Sequence, residues 1–74
     1  MIRPTWGDTV RIRNDAPIGL GPGLLAAVCG MRELETPAQA REFGRAVGTT
    51  QLLVELGDGR SFEIPEDLVQ VANE

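Results

Sequence analysis

The chain has no histidine, no tyrosine and no lysine, and a single cysteine. Without histidine the commonest general base is missing, and without tyrosine a phenolic acid is missing too. A Ser/His/Asp triad or a Cys/His pair cannot be assembled, so catalysis is not expected. One thiol can neither close an intrachain disulfide nor build a thiolate metal site alone. Short secreted domains usually depend on several disulfides, so the expectation is a protein of the reducing cytoplasm. No apolar run approaches the ~20 residues of a membrane-spanning helix. The opening MIRPTWGDTV does not read as a signal peptide, because Pro4 and Asp8 interrupt it before any apolar stretch. Aromatics are few: Trp6, Phe43 and Phe62. With two of these expected in the core, an aromatic-lined groove for proline-rich peptides is not expected.

What is present suits one small globular domain spanning residues 1–74. Apolar residues make up 42%, which argues against disorder. A domain of ~60 residues buries only ~60% of its unfolded surface, so a second core or a deep cleft between lobes has no room. Net charge is −4, and all seven basic residues are arginines scattered along the chain. An acidic balance disfavours nucleic-acid binding, which needs dense positive charge.

The strand signals are short and clean. Thr9 to Arg13 alternates, with Val10 and Ile12 on one side. Residues 18–23 hold three glycines and a proline and must be a loop, with Ile18 and Leu20 expected to fold back over the core. Leu24 to Leu34 reads as a second strand in which Gly30 marks a bulge or sharp bend. A bulge flips the inside/outside phase, so Val28 and Cys29 compete for the inward position. Ala26, Val28 and Met31 are the favoured inward set. Thr36-Pro37-Ala38-Gln39 has the form of a helix start: an N-cap, a first-turn proline and a capping-box partner. Gly44 ends that helix, and Phe43 and Val47 are its expected anchors. Thr49 to Leu56 is a third strand, with Thr50, Leu52, Val54 and Leu56 on one face and Gln51, Leu53 and Glu55 on the other. Asp58-Gly59 supplies the positive backbone angles of a hairpin turn. Arg60 to Ile64 returns with Phe62 and Ile64 inward, and Pro65 ends the pairing. Glu66-Asp67-Leu68 makes one tight turn before a short last strand, Val69 to Val71.

Five short strands, a long loop after the first and a one-turn helix before the last resemble the SH3-like barrel superfamily. The residues that carry the resemblance are Gly7-Asp8-Thr9-Val10-Arg11-Ile12, Pro22-Gly23, Leu53-Val54-Glu55-Leu56 and Ile64-Pro65-Glu66-Asp67-Leu68-Val69. The expected fold is therefore mainly β: a five-stranded SH3-like barrel, a short inserted helix at about Pro37–Phe43, and a one-turn helix near Glu66–Leu68. The inserted helix departs from the minimal barrel. Small bacterial accessory proteins that open on Gly-Asp-x-Val-Arg-Ile include factors of nitrogenase maturation, members of photosystem or ferredoxin-linked complexes, and immunity proteins of toxin systems. The resemblance implies a module of that accessory or immunity type, docking on one larger protein. It is specific for fold and weak for function.

No cofactor or metal is expected. The carboxylates Glu33, Glu35, Glu55, Glu63, Glu66 and Asp67 read as a solvated face. The glycine-rich loop at 19–23 lacks the Gly-Lys-Ser/Thr ending of a phosphate cradle and precedes a strand. Cys29 reads as a small buried apolar residue. Trp6 is either an interface anchor or a lid packed against Pro4 or Phe43. The expected partner-binding residues are Trp6, Ile18, Leu20, Arg41 and Phe43, drawn from the first turn, the loop and the helix, because variable loops on a rigid scaffold carry function. The alternative is an RNA-binding barrel using Arg11, Arg13 and Arg60. The competing reading of that stripe is a solvated face with cross-strand pairs to Glu55 or Glu63. Self-association through an edge strand or the outward Leu53 is a third expectation, and a small-molecule enzyme ranks last.

Overall fold

The computed structural model describes residues 4–72. The elements run β1 (Thr9–Ile12), β2 (Leu25–Glu33), α1 (Pro37–Phe43), β3 (Thr50–Leu56), β4 (Ser61–Pro65) and β5 (Val69–Val71), with 3-10 turns at Ile18–Leu20 and Glu66–Leu68. All five strands form one antiparallel sheet in the order β4-β3-β2-β1-β5. The two ends of that sheet, β4 and β5, are consecutive in sequence and separated by a single 3-10 turn. Among the described residues no helix is long and apolar enough to cross a membrane.

Alternation builds the core. Val10 and Ile12 of β1, Ala26 and Val28 of β2, Leu52, Val54 and Leu56 of β3, Ile64 of β4 and Val69 of β5 make one buried cluster with Ala16. Leu20, Phe62 and Leu68 pack against it from the edges. Every strand thus contributes to one apolar interior, the driving term for a domain this small.

The bulge lies where Gly30 signals it. Val28 pairs with Val54 and Gly30 with Leu53, so Cys29 is the extra residue. A bulged residue leaves the ladder, and Cys29 accordingly is exposed rather than buried. Met31, placed inward by the sequence, does face the side of its register partner Leu52 but is 42% exposed. It borders an open hollow with Pro4, Thr5 and Thr50 at the end of the strand.

The helix forms as its capping residues dictate. The Thr36 side chain accepts from the Gln39 N–H at 3.2 Å, and Gln39 Oε1 accepts in return from the Thr36 N–H at 3.3 Å. Pro37 starts the helix, and Gly44, at φ 66°, closes it in the left-handed region. Ala40 is its buried residue and Phe43, one turn on, is half-buried. Val47 is not an anchor: it is 54% exposed, because the chain has already turned at Gly44. In the β3–β4 hairpin only Gly59 has a positive φ, 92°, and Asp58 does not. One left-handed glycine suffices in a hairpin loop longer than two residues. Asp58 instead accepts from the Arg60 N–H at 3.0 Å, which fixes the turn.

Candidate functional site

Two of the expected partner-binding residues converge. Leu20, at the end of the first 3-10 turn, and Phe43, at the end of α1, face one groove of about 440 Å³. Pro17, Pro65 and Leu68 complete its apolar floor, and Asp15, Glu42, Glu63 and Arg45 stand around it. Each wall has a local cause. Pro17 precedes the 3-10 turn with φ −55°, which presents Leu20 toward the core edge. Gly44 turns the chain back after Phe43, and Arg45 then reaches the second 3-10 turn, its Nε donating to Asp67 Oδ1 at 3.0 Å. Phe43 is covered on one side by the Arg32 guanidinium, 5.8 Å from the ring centre, a cation–π contact.

The other expected residues lie elsewhere. Trp6 is 71% exposed and does not line the groove. The lid reading is therefore overturned. The turn Thr5–Asp8 is closed on itself, with the Asp8 N–H bonded to Thr5 O at 3.0 Å and the Thr5 N–H to Asp8 Oδ2 at 2.9 Å. Gly7 ties that turn to Val28 O at 3.1 Å, and the indole is left outside. Ile18 is 90% exposed instead of folding over the core, since a three-residue turn can aim only one of its two apolar side chains inward, and Leu20 takes that place. Arg41 is exposed in the last turn of α1, where a cation suits the helix's negative end. Leu53 is exposed on the outer face of β3, as its alternation requires. Glu42, Arg45, Glu63, Pro65 and Leu68 were missed as groove residues. Only the tertiary meeting of α1 with the turn after β4 brings them together.

The arginine stripe is dispersed and engaged. Arg11 Nη1 donates to Gly23 O at 2.9 Å. Arg13 and Arg60 do not pair across strands with Glu55 or Glu63. They bond to Asp15 (3.1 Å) and Asp58 (2.8 Å), two residues away within their own turns. A turn aspartate is nearer than a strand neighbour, and Glu63 is already held by Arg32 at 2.8 Å. Arg60 precedes β4, which is separated from β1 by β2 and β3 within the sheet. The Arg13 hydrogen bond holds the Asp15 carboxyl below its ordinary range. The Arg60 backbone N–H, then its guanidinium, does the same for Asp58.

Among the described residues no three His, Cys, Asp or Glu side chains gather as a metal site needs. The arrangement can bury an apolar side chain beside carboxylates. No protein-family model, curated protein or solved structure matches this chain.

Proposed function

We propose that the chain is an SH3-like barrel acting as a non-catalytic interaction module, a small accessory or immunity-type protein that docks on one larger protein. Support for the barrel comes from the strand order, in which the two ends of the sheet are joined by a single 3-10 turn. The docking reading rests on one observation: Leu20 and Phe43, from separate segments, share an apolar groove fringed by Asp15, Glu42, Glu63 and Arg45, of which Asp15 and Glu63 already pair with Arg13 and Arg32. The chain as a whole carries a net charge of −4. The occupant that fits is a protein segment with an apolar anchor flanked by Arg or Lys. The anchor releases water from Leu20, Phe43 and Leu68, and Glu42, together with the chain's net negative charge, steers the cation and speeds encounter.

The test is recovery of a stoichiometric partner by the tagged full chain, followed by binding measurements on variants. Phe43→Ala is expected to weaken binding at least ~10-fold, as truncating an aromatic anchor does. Glu42→Lys is expected to slow association and flatten its salt dependence. Failure to recover any stoichiometric protein sinks the reading. So does a partner that binds the Phe43 and Glu42 variants as tightly as the parent chain.

A further inference from the structure

Gln51 is fully buried, and neither its Nε2 nor its Oε1 meets a hydrogen-bonding group of the protein. Buried polar side chains in native proteins are nearly always paired, so an exception demands a reason. Alternation along β3 puts Gln51 on the outer face of the sheet, with Arg32 and Pro65 as its register partners. On the same face, Gly30 and Glu63 flank Leu53. Gly30, Met31, Arg32, Gln51, Leu53 and Glu63 bound a hollow of about 230 Å³. The absence of a side chain at Gly30 keeps it open.

The hollow has a strap. Arg32 belongs to β2 and Glu63 to β4, so their ion pair, Nε to Oε1 at 2.8 Å, must cross over β3 between Gln51 and Leu53. The two side chains are 42% and 35% exposed. Ion pairs this wet add little to stability, so swinging the strap aside costs little beyond the cation–π contact of Arg32 with Phe43. Gln51 then presents a donor and an acceptor together. Arg32 and Glu63 add another donor and another acceptor, and the site's net charge is zero. An anion would meet Glu63 and a cation would meet Arg32. The matching ligand is a neutral planar group that carries both functions, which is a carboxamide or a peptide group.

We propose that Gln51 is the recognition group of an amide-binding site on the outer face, strapped by the Arg32–Glu63 ion pair. This site is distinct from the docking groove, though Glu63 borders both and Arg32 also lies over Phe43.

Titration of the uniformly ¹⁵N-labelled full chain, followed by NMR, tests it. The probes are propionamide and N-acetylglycine methylamide, with propionate and propylammonium as charged controls. Saturable shifts of the Gln51 side-chain NH₂ and Arg32 Nε–H signals are expected with the amides and not with the controls. Stronger binding of propionamide assigns the site to Asn or Gln side chains. Stronger binding of the methylamide assigns it to a peptide backbone. No shift at saturating probe, or an equal response to the charged controls, overturns the proposal. Gln51→Met keeps the length and removes the amide. It is expected to abolish the response and to raise the folded-to-unfolded ratio roughly tenfold, because an unpaired buried group is lost. A destabilised Gln51→Met chain would mean that the amide is satisfied in the parent protein, by bound water for example, and the proposal would fall.

Discussion

Leu34→Ala should detach the helix from the sheet rather than unfold the domain. Leu34 is completely buried yet stands outside the ten-residue core cluster. Its N–H donates to Thr49 O at 2.9 Å and its carbonyl accepts from the Gly48 N–H at 2.8 Å, so it clamps both ends of the connection that carries α1. Truncating a buried leucine costs about 2–5 kcal/mol. A helix of seven residues cannot persist on its own. Its N-cap contributes about 1 kcal/mol, so the connection's own reserve is no larger than the loss. The whole domain holds roughly 4–11 kcal/mol, by the usual per-residue stability, and its main core is untouched by the change. Hydrogen exchange separates the two cases. The Ala40 and Arg45 N–H groups, bonded to Thr36 O at 3.0 Å and Ala40 O at 2.9 Å, should lose protection by about 30-fold or more. The Leu52 and Val54 amides should stay slow. Leu52→Ala, in the centre of β3, should speed all of them together. If the Leu34 variant releases helix and strands at the same denaturant concentration, the idea of a separately held helix is wrong.

Further outcomes follow from the local geometry. Thr36→Ala removes half of the capping box and should cost about 1 kcal/mol in chemical denaturation, while Gly44→Ala, forced to φ 66°, should cost a similar amount, about 1 kcal/mol. Asp15 and Asp58 have folded pKa values below their ordinary 3.8. Their contribution to stability is complete above that value and is lost as pH falls through the folded values, so carboxyl titration by NMR should show both midpoints below 3.8. Asp58→Asn should make the loss of stability in acid shallower, and an unchanged acid limb would refute the assignment.

Much of the fold was legible because its signals are local. Val10 and Ile12 alternate cleanly, the Thr36–Gln39 capping box needs four residues, and the break at Gly30 points to the bulge between Val28 and Gly30. Val47 and Ile18 lie more open than expected, and Met31, though it does face inward, is left partly exposed, for one shared reason. Hydropathy says that a residue can be buried, but only the neighbouring elements say whether anything covers it. Met31 borders an open hollow at its strand end, Val47 lies beyond a chain reversal, and Ile18 on the outside of a tight turn.

The candidate site was half legible. Leu20 and Phe43 stood out as apolar residues on insertions, whereas Glu42, Glu63 and Leu68 look in sequence like any solvated charge or turn residue. Gln51 shows the limit most plainly: its position on the outer face of β3 follows from alternation, but its complete burial is set by groups from other parts of the chain, its register partners Arg32 and Pro65 among them. The sequence by itself determined the strands, caps and turns, because those depend on residues a few positions apart. The groove, the strap and the unpaired amide were decided by tertiary structure, because each requires side chains far apart in sequence to meet.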